Sequence, residues 1–441
     1  MSRRRRKLPS VAIEAEINSL SHEGRGIAHV TGKATFIDGA LPGETVRFRY
    51  RRQHSRFDEG FTESVLKVAP GRVDPKCDHF GLCGGCSLQH LAPDMQVKHK
   101  QDVLLEQFRH IGDVNPCSII PPLTGPVWGY RHRARLGVKY VQKKGRVLVG
   151  FREKRSTHIA DLKQCEVLHP QVGRKLSALQ ELISNLSIYG QLPQIEVAVG
   201  DTETALVFRH LAELSDTDIE KLNAFSDMHN VSIYLQSGGP DTVTPIKSNN
   251  ERGLTYRLDD HDIVIAFNPT SFIQINAEIN KTMINRILEL LEPQSDESIL
   301  DLFCGLGNIT LPLARHSGNV TGVEGEKNLV EQAKFNARCN KISNVEFCMV
   351  DLTNIDKQAA YINKSYNKIV LDPPRTGAQE IIKAMDLSNV SKLVYVSCNP
   401  ATLARDAGIL VKEKGLRLTH AGVMDMFPHT AHVESIALFE Q

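Results

Sequence analysis

The sequence predicts a multidomain chain: a small N-terminal β-barrel, a central α+β region and a C-terminal doubly wound, Rossmann-like α/β domain. Three observations carry that reading. Residues 11–70 alternate apolar and polar positions in short runs broken by glycine, a cysteine cluster opens the mixed stretch 71–265, and over 266–441 apolar runs alternate with helical stretches. Short alternating runs between turn residues build barrels, whereas strands that alternate with helices build a parallel sheet. With 441 residues and 41% hydrophobic composition, the chain is long enough for two or three cores.

The formal net charge of +2 conceals an asymmetry. Residues 1–170 carry 29 Lys/Arg against 17 Asp/Glu, net +12, whereas 171–441 carry 24 against 34, net −10. The basic N-terminal part is therefore the one suited to a polyanion. Within residues 1–10, "RRRRK" reads as a mobile basic arm. No stretch nears the roughly 18 apolar residues of a membrane span, and no apolar segment follows the N-terminal arginines. The expectation is a cytoplasmic protein with no membrane partner and no obligate protein partner. Nine cysteines, an odd number without an export signal, argue against a disulfide framework and for metal binding or catalysis.

The barrel runs are "VAIEAEI", "KATFIDG", "ETVRFRYR" and "TESVLKV", punctuated by Gly24, Gly26, Gly32, Gly39 and "LPGE". The segment "HEGRGIAHVTGKATFIDGALPGETV" resembles the TRAM domain, which implies an OB-like RNA-binding barrel over 11–70. The central region reads as helices near 94–110 and 172–188 with strands in "RARLGVKYV", "RVLVGF", "IEVAVG" and "TALVFRH". In "WGYRHRARLGVKY", Arg131, Arg133 and Arg135 fall on one side of a strand, with Trp128, Tyr130 and Tyr140 interleaved. Guanidiniums for phosphates and rings for unstacked bases are what single-stranded RNA recognition uses.

In an open α/β sheet, ligands bind beyond the carboxyl ends of the strands. The first C-terminal strand ends in "DLFCGLGN", Asp301–Asn308, and the second ends in Glu324, 19 residues beyond Gly305. Glycines let backbone approach a ligand, and an acidic residue after the second strand suits ribose hydroxyls. A dinucleotide site would continue to a third glycine where Thr310 stands, and Asp301 would put negative charge near a pyrophosphate. The ligand is better read as a nucleoside that carries cationic groups, which S-adenosylmethionine fits. Asp351 ends the third strand, within reach of an adenine, and Asp372 opens "DPPRTG", whose prolines must turn out at the cleft.

Cys398 ends the fifth strand in "KLVYVSCNPATLARD", with Asn399 as N-cap and Pro400 at the first helical position. The positive helix end is expected to favour thiolate over thiol. Cys304, Cys339 and Cys348 read instead as buried small apolar residues. A cleft thiol suits a carbon that must be activated before alkylation, such as C5 of a pyrimidine, which thiolate addition at C6 renders nucleophilic. A base must then remove the C5 proton. Glu434 in "FPHTAHVESIALF" is the candidate, with His429 and His432 as rivals.

The motifs "FIQIN", "DLFCGLGN", "LDPPRTG", "YVSCNPATLARD" and "DMFPHTAHVES" together resemble the RNA uracil-C5 methyltransferase family, and within it the bacterial enzymes of 23S ribosomal RNA. The resemblance implies Cys398 as nucleophile and Glu434 as base. It implies cofactor contacts from Gln274, Phe303, Asn308, Glu324, Asp351 and Asp372, with Phe272 placed to stack on a base or to pack in the core.

The segment "KCDHFGLCGGCSLQH" spaces Cys77, Cys83 and Cys86 as C-x5-C-x2-C. Spacing alone leaves two metals open: zinc with His79 or His90, or an iron-sulfur cluster with Cys165 or Cys117 as fourth ligand. The resemblance implies a 4Fe-4S cluster on Cys77, Cys83, Cys86 and Cys165, structural or RNA-shaping rather than radical-generating. Rival functions are a transfer RNA enzyme of the same family, a ribosomal relative without the barrel, a cytosine-C5 enzyme, and a non-catalytic metal-containing RNA-binding protein. The barrel segment together with the "SCNP" and "HVES" pair favours the ribosomal RNA uracil reading.

Overall fold

The structure, a computed structural model, describes residues 11–247, 253–352, 361 and 364–441. The basic arm of residues 1–10 lies outside them. The chain forms two compact units: residues 1–103, 152–158 and 427–432 in the first, and 104–151, 159–426 and 433–441 in the second.

The first unit contains six strands, β1 (Ile13–Glu16), β2 (Ser19–Leu20), β3 (Gly26–Val30), β4 (Lys33–Asp38), β5 (Thr45–Gln53) and β6 (Phe57–Lys67), in the order β1-β5-β6-β4-β3-β2. The β3–β4 hairpin turns through Thr31 and Gly32, both at positive φ, as a tight two-residue loop requires. Register shifts at three points of the β5–β6 pair supply the local bending a curled sheet needs. Inward-facing Ile17, Ala28, Ile37, Ala40, Val46 and Phe48 form its core. Gly60 has no alternative, because a Cβ there would lie 2.6 Å from the Phe48 ring.

The second unit holds two main sheets. Strand β7 (Ser118–Ile119) belongs to the larger one. The smaller comprises β8 (Arg133–Val141), β9 (Arg146–Gly150), β10 (Gln194–Val199), β11 (Thr204–Arg209), β12 (Ser232–Gln236) and β13 (Val243–Pro245), ordered β13-β12-β11-β10-β8-β9. A hairpin of β14 (Leu254–Leu258) and β15 (Ile263–Phe267) follows.

The larger sheet adds β16 (Ser298–Leu302), β17 (Asn319–Glu324), β18 (Val345–Met349), β19 (Lys368–Leu371), β20 (Lys392–Ser397), β21 (Arg417–Met424) and β22 (Glu434–Glu440). Its order is β18-β17-β16-β19-β20-β22-β21-β7, and the first five run parallel. The connections diverge between β16 and β19, which opens a cleft at the carboxyl ends of those strands. Their Val/Ile/Leu runs are buried, as expected for strands covered on both faces.

Three sequence expectations change. Arg131, Arg133 and Arg135 do not form a uniform exposed stripe, because Glu196 on β10 lies across from them: Arg133 and Arg135 each donate to its carboxylate at 3.0 Å. Arg131 lies over the Phe151 ring and Tyr130 is buried, whereas Arg135, although paired with Glu196, keeps 69% of its side chain exposed. Cys339 is exposed rather than buried, since it ends its helix, and Cys348 is half-buried; Cys304 is buried as expected.

Candidate active site

The cofactor side of the cleft is built from the turn after β16. Phe303 adopts a positive φ of 67° and its N–H bonds to the Val323 carbonyl, which swings the glycine loop back over β17. Gly305 and Gly307 are both left-handed, so the loop depends on residues without a Cβ. Glu324 is anchored by three backbone N–H groups: Gly305 at 3.1 Å, Gly325 at 2.8 Å and Glu326 at 3.0 Å.

Behind the loop, Asp301 is fully buried. Its Oδ2 accepts from the Thr310 hydroxyl at 2.6 Å, while its Oδ1 has no hydrogen-bond partner among the described residues. Burial pushes its carboxyl up to about 7, and the negative charges of Asp372 and Glu324 add to the rise. Burial also raises Asp372 to about 7. The Gln274 amide reaches 3.5 Å from the Asp372 carboxylate, so two residues far apart in sequence meet. Two buried carboxyls whose ionisation burial opposes, set beside the Glu324 carboxylate, form a site that a cation would relieve. This donor set fits the ammonium and sulfonium of S-adenosylmethionine.

Asn308 is occupied differently from the sequence expectation. Its Oδ1 accepts from the buried Tyr256 hydroxyl at 2.8 Å and from the Asn280 amide at 2.9 Å, and its Nδ2 donates to Asn280 at 2.8 Å. The side chain thus fixes the glycine loop to two elements that sequence reading did not connect with it. Asp351 is exposed two residues beyond β18.

Cys398 follows β20 directly and is half-buried. Asn399 caps the next helix, accepting from the Ala401 N–H at 3.1 Å, as its sequence predicts. Register places Glu434 nearby: Ser397 on β20 faces Ser435 on β22, so the next residues in each direction are Cys398 and Glu434. The electrostatics run against the expectation of a ready thiolate. Burial raises the Cys398 thiol, Glu434 and Asp372 raise it further, and Arg375 and the backbone only partly oppose them. The helix end is outweighed by burial and, after it, by two carboxylates. Cys304, by contrast, is buried under the loop with its thiol pushed well up, which suits a core residue. His429 and His432 lie in the first unit; His429 is buried, its N–H donating to Gln96, and His432 is exposed.

A family model described as tRNA (Uracil-5-)-methyltransferase matches residues 124–441. The chain belongs to this family. A TRAM domain model matches residues 12–49. Among relatives, a protein of Nitrosococcus oceani named 23S rRNA (uracil(1939)-C(5))-methyltransferase RlmD is 54% identical over 99% of this chain and 98% of its own length. A protein of the same name from Methylococcus capsulatus is 50% identical over 99% of both chains. The fold resembles that of the Pyrococcus abyssi tRNA (uracil-54, C5)-methyltransferase solved with S-adenosyl-L-homocysteine, with a TM-score of 0.72 and 25% identity over 97% of this chain and 100% of that one. The chain is a methyltransferase of the uracil-C5 family that uses S-adenosylmethionine.

Two further features bear on ligands. A cavity of about 670 Å³ in the second unit is lined by Arg135, Arg209, Tyr234, Gln236 and Phe272. Phe272 is 69% exposed, which excludes its reading as a core residue. The cysteine segment occupies turns between β6 and the helix Pro93–Gln107, where the Gly85 N–H donates to the Cys83 sulfur at 3.4 Å. Cys77, Cys83 and Cys86 fall in the first unit and Cys165 in the second. Among the described residues no three His, Cys, Asp or Glu side chains gather as a metal site.

Proposed function

We propose that the chain methylates C5 of a uridine in 23S ribosomal RNA, the one its relatives' names number 1939. The observation that carries this is the β20–β22 register, which sets a thiol and a carboxylate side by side at the mouth of a cleft lined by carboxylates. Cys398 acts as the nucleophile and adds to C6 of the uracil; C5, now enolate-like, takes the methyl group. S-adenosylmethionine supplies that methyl as an electrophilic sulfonium. Asp301, Glu324 and Asp372 hold the cofactor's cationic and ribose groups, with Gln274, Phe303, Asn308 and Asp351 shaping the pocket. Glu434 then removes the C5 proton, and the thiol leaves by elimination.

Because burial and the Glu434 and Asp372 carboxylates raise the resting Cys398 thiol, a cationic methyl donor held by the carboxylate cleft would favour its ionisation. Deprotonation is thereby coupled to the presence of the methyl donor. A uridine stacked in a helix cannot reach this cleft, so the RNA presents it in a loop or flipped out. Exposed Phe272 and Arg135 supply a stacking face and a cation for the neighbouring strand. A ribosomal RNA substrate places the work in the cytoplasm.

The 4Fe-4S reading of Cys77, Cys83, Cys86 and Cys165 rests on an all-thiolate donor set and on an N–H···S bond of the kind that stabilises a ligated sulfur. Bound there, a cluster would serve as a structural element, and the methyl transfer needs none of its redox chemistry.

The test is methylation of 23S ribosomal RNA lacking its modification with isotopically methyl-labelled S-adenosylmethionine. Label in 5-methyluridine at one position is the expected result. Label in cytosine, or in transfer RNA alone, contradicts the proposal.

A further inference from the structure

The motifs "DPPRTGA" and "SCNPATLARD" begin 25 residues apart in sequence, yet the helix that starts behind Cys398 grips the turn that starts at Asp372. The Arg375 carbonyl accepts from the Asn399 amide at 3.0 Å and from the Thr402 hydroxyl at 3.2 Å. The Thr376 carbonyl accepts from the Arg405 guanidinium at 2.9 Å. The Ala378 N–H donates to Asp406 Oδ2 at 2.7 Å. That same oxygen accepts from the Tyr395 hydroxyl at 2.7 Å, and Asp406 Oδ1 accepts from Arg405 Nε at 2.8 Å. Asp406 is fully buried, so its charge is tolerated only because these donors surround it. Gly377 fits the same arrangement: at a φ of 80°, a Cβ would come within 2.6 Å of both Arg405 Nη2 and Asp406 Oδ2.

We propose that Asp406, which stands at the hub of this network and not among the reacting groups, is a positioning residue that holds the 372–378 turn so that Asp372 and Arg375 keep their stations beside Cys398. The argument is one of connectivity. Helix side chains satisfy the main-chain groups on either side of Gly377, and all of them lie within eight residues of the thiol along the chain. Arg375 is the cation that opposes the carboxylates of Glu434 and Asp372 at Cys398, so a turn that drifts changes the balance at the sulfur. This inference rests on the proposed role of Cys398 only for its catalytic consequence.

The test compares wild type with Asp406→Asn and Tyr395→Phe, the latter removing one donor and leaving the carboxylate in place. The readout is the pH profile of iodoacetamide alkylation at Cys398, resolved by peptide mass spectrometry, alongside kcat and the dissociation constant of S-adenosylmethionine. Asp406→Asn should shift the alkylation midpoint by about one pH unit and lower kcat by on the order of 10- to 100-fold. Tyr395→Phe should move both in the same direction by less. An unmoved profile in a folded Asp406→Asn variant overturns the proposal, whatever its melting temperature. If that variant does not fold, an unmoved profile in Tyr395→Phe overturns it equally. The profile reports the thiol itself, so it is decided separately from whether that thiol is the nucleophile.

Discussion

Two cysteine-bearing regions of this chain stand in contrast. Cys398 sits at a strand end, where the register of β20 against β22 fixes its neighbour and a capped helix fixes what lies behind it. Cys77, Cys83 and Cys86 sit in turns between β6 and a helix, with short glycine-rich backbone between them. A sheet converts sequence position into spatial position, because side chains follow a period of two and ladders set the partner. Turns do not. The lesson is that a motif on a sheet end predicts a geometry, whereas a motif in turns predicts only a donor set.

The variants that break this contrast most sharply are at the strand end. Cys398→Ala should reduce methylation to background while leaving S-adenosylmethionine binding intact, measured by calorimetry. Glu434→Gln should instead slow turnover by roughly 10²- to 10⁴-fold, the range of a lost general base, with methylated enzyme–RNA adduct accumulating on denaturing gels. If Glu434→Gln turns over normally, the register argument loses its chemical consequence.

The carboxylate cluster sharpens the comparison through pH. Asp301 and Asp372 are both raised to about 7 by burial. A carboxyl raised in the folded state contributes stability below its unfolded value, and that contribution is lost as pH rises through about 7. The cofactor selects the ionised forms, so its affinity should weaken as pH falls below 7, by up to about tenfold per unit for each carboxylate. Melting curves of the ligand-free chain and titrations with S-adenosylmethionine between pH 5 and 8 should therefore trend oppositely. Asp301→Asn should flatten both.

In the turn region, the proposed 4Fe-4S cluster requires that Cys83→Ser lower bound iron and sulfide while leaving S-adenosylmethionine affinity unchanged. Equal loss of both would join regions that the account treats as separable.

A smaller effect separates two arginines of one strand. Arg133→Ala should cost about 3 kcal/mol of unfolding free energy, since it leaves the nearly buried Glu196 short of a partner. Arg135→Ala should barely change stability but weaken RNA binding and reduce its salt dependence by about one phosphate contact.

These residues also mark what the sequence made legible. The α/β domain, the strand-end placement of Glu324, Asp372 and Cys398, and the Asn399 cap follow from patterning and local chemistry. The pairing of Arg133 and Arg135 turns on Glu196, a cross-strand neighbour some sixty residues away, and their different exposure on the Val197 and Pro269 carbonyls that hold Arg133 alone, none of which a local pattern reveals. The raised Cys398 thiol is of the same kind: the helix end is a local signal, but burial and, after it, carboxylates brought in from distant segments outweigh it. Tyr256 and Asn280 escaped notice because they meet the site through Asn308, a contact between segments far apart in sequence. Arg375 and Asp406 stood within motifs already singled out, and a buried carboxylate in an otherwise apolar helix face was the available signal for the second.

The central claim meets its most direct test with ribosomal RNA in which the target uridine is replaced by 5-fluorouridine, incubated with the enzyme and S-adenosylmethionine, digested, and sequenced by mass spectrometry. Fluorine cannot leave as a proton, so the account predicts a methylated nucleotide covalently held on the peptide containing Cys398, absent in Cys398→Ala. An adduct on any other residue, or one that persists in Cys398→Ala, contradicts it.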